Sequence, residues 1–104
     1  MTRELSPEEW KSYFDRLSHQ AEGTVIRMEV LGDELGDQIE MDWLQLDGIT
    51  YDPKGGILDV IAEGVDARVA RPKSILIDER EGRLVAMQIV DADDDLHVVR
   101  LKAA

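Results

Sequence analysis

The chain has 104 residues, 43% hydrophobic and 34% charged, which fits one globular domain over residues 1–104 and leaves no room for two. Its 12 basic and 23 acidic side chains give a formal net charge of −11, which disfavours binding to nucleic acid or to anionic membrane surfaces. It contains no cysteine, so disulfides, thiolate metal sites and cysteine nucleophiles are excluded.

The first segment predicts an amphipathic helix from about residue 7 to residue 19. Ser6 is a suitable cap, Pro7 suits the first helical position, and Glu9 completes a capping-box pattern. Apolar side chains then recur at helical spacing, at Trp10, Tyr13, Phe14 and Leu17. A helix this short is marginal alone, so its aromatic face is expected to pack on a sheet.

The remainder predicts short strands joined by tight turns. The strands are expected at about residues 24–31, 38–46 with a continuation at 49–51, 57–62, 74–78, 84–90 and 96–101. After Trp43 the apolar alternation changes phase, which indicates a bulge or bend. Residues 65–71 are ambiguous between a strand and a helical turn, and Pro72 interrupts them.

Together these elements predict an α+β fold: an N-terminal helix followed by a five- to six-stranded antiparallel meander over about residues 24–101. Short local connections favour neighbouring antiparallel strands. A sheet of this size must protect its edges or its apolar face. We therefore expect a small barrel of the Sm or SH3-like type, with the alternative that the helix covers one face of the sheet.

The most acidic segment lies between Met28 and Pro53, where eight carboxylates occur without a single lysine or arginine. We expect a surface for a basic protein partner there, formed by Asp33, Glu34, Asp37, Glu40 and Asp42. Paired carboxylates such as Glu40 and Asp42 could also perform acid–base or glycosidic chemistry. With 23 carboxylates in 104 residues, however, such pairs arise by chance.

The run from Asp91 to Asp95 contains four aspartates and resembles a calcium loop in composition. An EF-hand loop needs glycine at its sixth position and glutamate at its twelfth, and counting from Asp91 these positions hold Leu96 and Lys102. The run therefore predicts a solvated hairpin turn with no metal site, since aspartate favours turns for local hydrogen bonding.

The remaining polar candidates favour structural roles. His19 and His97 lack ligand spacing with each other and have no serine or aspartate at a spacing diagnostic of catalysis. Arg68, Arg71 and Lys73 form the one basic cluster visible in the sequence. They could bind an anion or an acidic partner, or pair with the acidic half of the molecule.

Three stretches resemble a family of small bacterial proteins known only as a domain of unknown function. The first is Leu5-Ser6 through Trp10 with Tyr13-Phe14-Asp15. The second is Gly36 through Glu40 with Asp42-Trp43-Leu44 and Gly48 through Pro53. The third is Pro72 with Ile75 and Ile77-Asp78. The resemblance covers most of the chain and implies a bacterial domain. It implies no activity and no site residues.

These observations predict a non-catalytic module that binds another protein, with no cofactor. The alternatives are a small-molecule or cation-binding domain, an unrecognised enzyme, and a nucleic-acid mimic. We expect a cytoplasmic protein, because the N-terminal residues lack an apolar core typical of a signal peptide and no apolar run approaches 20 residues. Oligomeric state is not predicted.

Overall fold

The computed structural model describes residues 1–34 and 36–104. Within them the strands are β1 (Thr2–Leu5), β2 (Thr24–Gly32), β3 (Gly36–Asp52), β4 (Ile57–Ala62), β5 (Val65–Ala70), β6 (Pro72–Arg80), β7 (Arg83–Asp91) and β8 (Leu96–Ala103). Helix α1 (Trp10–Leu17) has a 3₁₀ turn on each side, Pro7–Glu9 and Ser18–Gln20. The tight turn expected between the predicted strands at 24–31 and 38–46 includes Leu35, which lies outside the described residues.

The described strands form one antiparallel sheet in the order β1-β6-β7-β8-β2-β3-β4-β5. The predicted N-terminal helix and antiparallel sheet are therefore confirmed, in a fold that is mostly β. The predicted barrel is wrong, because the sheet is not closed by hydrogen bonds and has β1 and β5 as its edges. The predicted count of five to six strands is wrong as well, because the described residues form a sheet of eight. Strand β1 is too short and too polar to be recognised from sequence, and the ambiguous segment at 65–71 contains a strand, β5.

The sheet consists of two meanders, β2 to β5 and β6 to β8, joined by the pairing of β8 with β2. Arg71 is the single residue between β5 and β6, although these strands lie near opposite ends of the sheet order. One residue spans only a few ångströms, so the two ends of the sheet must approach each other. The sheet therefore curls strongly even though no strand pairing closes it.

The predicted aromatic face of the helix is buried in the core, as expected. Trp10, Tyr13, Phe14 and Leu17 all join one hydrophobic cluster that also includes residues from the inner face of the sheet. The Trp10 ring meets Tyr51 of β3 edge to face at 5.2 Å, and its Nε1 donates to the Leu5 carbonyl at 3.3 Å. Burial of this face, rather than intrinsic helix propensity, stabilises so short a helix.

The bulge predicted after Trp43 is present. The β2–β3 register shifts between Ile26 and Met28, and Trp43 has a φ of +56°. A second shift, not predicted, falls between Met28 and Glu29. A bulge moves later residues to the opposite face of the strand, so the two shifts decide which side chains of β3 face solvent.

Two hairpins have the tightest possible connections. Glu63-Gly64 and Glu81-Gly82 each place two consecutive residues at positive φ, as a two-residue type I′ turn requires. Glycine at the second position accepts this conformation without the penalty that a side chain would add. The second turn confirms the tight connection expected between the predicted strands at 74–78 and 84–90.

Of the described residues, none form a helix long and apolar enough to cross a membrane.

Candidate functional site

Two acidic turns lie side by side at one end of the sheet. One connects β2 to β3, and the other connects β7 to β8. They become neighbours because β8 pairs with β2, with Leu31 directly opposite Leu96. Together they line an open concavity of about 700 Å³, whose lining residues are Asp33, Glu34, Asp93, Asp94 and Asp95.

The structure brings together only part of the predicted partner surface. Asp33 and Glu34 line the concavity, and Asp37 is exposed next to it, opposite Leu31. Glu40 and Asp42 are also exposed but lie farther along β3, and Asp42 is 3.4 Å from Arg27 Nε. We define the acidic end of the molecule as the two turns and their neighbour, namely Asp33, Glu34, Asp37, Asp93, Asp94 and Asp95.

Aliphatic side chains are exposed beside the acidic end. Ile39 is 55% exposed and Leu31 is 37% exposed. Simple strand alternation would place Ile39 on the same face as Met41, but the structure places them on opposite faces. The second bulge pairs Ile39 with Glu29 on the outer face of the sheet, whereas Met41 pairs with Met28 in the core.

A row of aliphatic residues continues across the outer face from Leu31. Residues that lie directly opposite each other on paired strands share a face. Leu31 is opposite Leu96, which is opposite Val90, and both of these partners are half-buried. The acidic end therefore adjoins an apolar strip on the outside of the sheet.

Asp91 and His97 form a buried pair just beneath the β7–β8 turn. His97 Nε2 lies 2.8 Å from Asp91 Oδ2, and the two side chains are 7% and 12% exposed. Asp91 Oδ1 accepts the backbone N–H groups of Asp93 and Asp95 at 2.9 and 3.1 Å. Asp91 is not recognisable from sequence as the partner of His97, because a six-residue separation across a turn matches no catalytic pattern.

These contacts fix the charge state of Asp91. Burial raises the pKa of its carboxyl, but the hydrogen bond from His97 and those from the two backbone N–H groups outweigh burial and lower the pKa. An ionised carboxylate can only accept, so His97 Nε2 carries the proton and donates it. Asp91 thus acts as the anionic centre that organises its turn.

Oxygen atoms of Asp91, Asp93 and Asp95 lie within 4.8 Å of one another, an arrangement that could hold a cation. The predicted solvated turn is therefore only partly right, since Asp91 is buried. Burial and the neighbouring charges of Asp91 and Asp93 raise the pKa of Asp95. Asp91 already accepts three hydrogen bonds through its two oxygens, so Asp93 and Asp95 are the less engaged carboxylates of these three.

We expect no tight calcium binding at this cluster. Calcium takes six to eight oxygen ligands, and Asp93 and Asp95 together supply at most about four carboxylate oxygens. Calorimetric titration of the protein with calcium should show no saturable binding tighter than ~1 mM, the weak limit of protein calcium sites. Saturable binding that disappears in an Asp93→Asn, Asp95→Asn double variant would show that the cluster is a calcium site.

Two of the three residues in the predicted basic cluster have acidic partners within the molecule. The Arg68 guanidinium lies 3.5 Å from the Asp66 carboxylate, and Lys73 forms an ion pair with Asp94. The backbone N–H of Arg71 donates to the Gly56 carbonyl. Lys73 thus pairs with an acidic turn, one of the alternatives considered from the sequence.

A different basic group, not predicted from the sequence, is assembled by the fold from distant segments. Arg3, Arg16, His19 and Arg83 line one pocket between the helical segment and the β6–β7 hairpin. They lie as many as 80 positions apart in the chain, so no local pattern could have revealed them.

Comparison with known proteins gives a family but no activity. The family model described as "Family of unknown function (DUF5335)" matches residues 1–104. An uncharacterised protein of Aquifex aeolicus (strain VF5) is 32% identical over 104 residues, covering 99% of this chain and 94% of that protein. No solved structure matches the chain. The resemblance to a bacterial family of unknown function is thereby confirmed, and the chain belongs to the DUF5335 family.

Proposed function

We propose that this protein is a non-catalytic interaction module whose acidic end binds a basic segment of another protein. One observation supports this most directly: a concavity lined by five carboxylates adjoins the exposed side chains of Leu31 and Ile39. Carboxylates provide attraction and orientation at long range, whereas apolar side chains provide affinity after contact.

The concentration of charge at one end argues for a partner. Like charges placed close together destabilise a fold, and solubility alone can be met by carboxylates spread over the surface. Instead, two turns that are 60 residues apart in sequence converge with five acidic side chains, of which Asp94 alone has an ion-pair partner, Lys73, within the described residues. A basic ligand would relieve the remaining repulsion.

The placement of Glu40 and Asp42 supports the non-catalytic part of the proposal. Catalytic carboxylates work in clefts, where restricted access to water shifts their pKa values. Both residues occupy exposed positions on β3, and the Asp42 side chain is 68% exposed beside Arg27. The sequence hypothesis of an acid–base pair therefore lacks the protected environment that such chemistry needs.

Charge reversal at the acidic end should abolish partner binding without unfolding the protein. The test variant is Asp33→Lys with Asp37→Lys, and the control is Glu22→Lys with Asp47→Lys, which changes the net charge equally at exposed positions elsewhere. Tagged proteins are purified from the native host at about 50 mM salt, where charge attraction is weakly screened. The proteins that co-purify are then identified by mass spectrometry.

We expect the wild type and the control to retain a common partner that the test variant loses. Association with that partner, once purified, should slow steeply as salt rises to about 500 mM. An Ile39→Ser variant should accelerate dissociation while leaving the salt dependence unchanged. Retention of the same partners by the test variant would mean that the acidic end only aids solubility.

A further inference from the structure

We propose that the pocket between the helical segment and the β6–β7 hairpin binds a small anion that bears phosphate or carboxylate groups. The pocket has a volume of about 360 Å³, within the usual range for small-molecule sites. This site is separate from the acidic end and does not depend on the function proposed above.

The charge of the pocket is opposite to that of the molecule as a whole. Three arginines and one carboxylate, Glu79, line it, together with His19. These lining side chains carry a formal net charge of +2 without any contribution from His19, or +1 once the pairing of Arg3 with Glu9 is counted, in a protein whose formal net charge is −11. Guanidinium groups bind carboxylates and phosphates with paired, planar hydrogen bonds, so this lining selects anions.

Two of the three guanidinium groups are free to bind. Arg3 is held by Glu9 at 2.7 Å, but neither Arg16 nor Arg83 has a carboxylate partner in residues 1–34 and 36–104. Arg83 donates only to the Thr24 hydroxyl, at 3.3 Å, which leaves its charge uncompensated. Elsewhere most basic side chains are paired, for example Arg27 with Glu29 and Asp42.

Hydrogen bonds made by side chains connect the walls of the pocket. The Gln20 amide donates to the Leu84 carbonyl at 2.8 Å and accepts the Leu84 N–H at 3.0 Å, which locks the second 3₁₀ turn onto β7. The Tyr13 hydroxyl donates to Glu79 at 3.0 Å. Buried Tyr13, Leu17 and Leu84 provide an apolar floor, the combination of apolar surface and convergent polar groups that small ligands require.

Calorimetric titration of the full chain with pyrophosphate and, separately, with citrate tests the proposal. The pocket variants are Arg16→Gln and Arg83→Gln. Arg100→Gln is the matched control, because Arg100 is exposed on β8, lacks an ion-pair partner among the described residues and gives the same change of net charge. Thermal unfolding of every variant verifies that each one is folded.

We expect saturable binding of at least one of the two anions. Each pocket variant should weaken it roughly tenfold to a hundredfold, as expected for loss of a hydrogen bond to a charged group, whereas the control should bind as the wild type does. Binding of pyrophosphate alone would identify phosphate as the preferred group, and binding of citrate alone would identify carboxylate. Failure of both anions to bind, or equal weakening in the control, would refute the proposal.

Discussion

Replacement of Phe14 by alanine is expected to lower the free energy of unfolding by about 3–5 kcal/mol. The Phe14 side chain is fully buried in the centre of the core, where its ring meets Tyr13 edge to face at 5.3 Å. The change removes the transfer free energy of the ring and leaves a cavity that the surrounding strands cannot fill. A domain of this size has about 5–15 kcal/mol of total stability, so the variant should be close to unfolding.

Urea unfolding followed by circular dichroism measures this effect. Lys11→Ala on the exposed side of the same helix is the matched control, and it loses only an ion pair with Asp15 that contributes about 0.5 kcal/mol or less. If Phe14→Ala and Lys11→Ala unfold at the same urea concentration, the helix is not docked on the sheet and the core described above is wrong.

Replacement of Asp91 by alanine should cost about 3 kcal/mol, because it removes the acceptor for three hydrogen bonds at once. The backbone N–H groups of Asp93 and Asp95 lose their partner, and so does His97 Nε2. The other ring nitrogen of His97, Nδ1, is buried and has no partner among the described residues, so the whole imidazole would be unsatisfied. Asp91→Asn keeps an oxygen acceptor for the turn and should cost much less.

The same residue gives a testable dependence on pH. Its folded-state pKa is lowered, so it contributes stability at pH values above about 4, the ordinary value for aspartate. This contribution is lost as the pH falls through the folded-state value. The free energy of unfolding should therefore fall less steeply between pH 5 and pH 2.5 in Asp91→Asn than in the wild type. Asp47→Asn, at an exposed position, should follow the wild type, and an unchanged slope in Asp91→Asn would show that Asp91 is not specially stabilised.

Local features of the fold were predictable because they depend on residues close together in sequence. The helix followed from the spacing of Trp10, Phe14 and Leu17, and the bulge followed from the change of phase at Trp43. Strand β1 was not predictable. It has only four residues, with two charged side chains among them, and it forms because β6 offers a free edge. Its existence depends on a contact more than 70 residues away.

Only the part of the candidate site that depends on residues close together in sequence was predictable. Asp33 and Glu34 stood out within one acidic segment, but their proximity to Asp93 depends on β8 pairing with β2, which are not consecutive strands. The exposure of Ile39 depends on a bulge that changes the face of the strand by one residue. The arginine-lined pocket joins three segments through tertiary packing, and nothing in any one of them indicates a site.

The antiparallel arrangement has a consequence for how this molecule meets others. The acidic turns lie at one end of β2, β7 and β8, and Arg83 lies at the opposite end of β7. Nine residues of strand, at about 3.3 Å each, separate the two regions by roughly 30 Å. The carboxylates at one end are therefore well separated from the arginines that line the pocket at the other. An approaching cationic surface would attract the acidic end more strongly than the end with the pocket, and would turn the carboxylates forward and the arginine-lined pocket away. The pocket would then stay open to solvent, and a single molecule could hold a protein at one end and a small anion at the other.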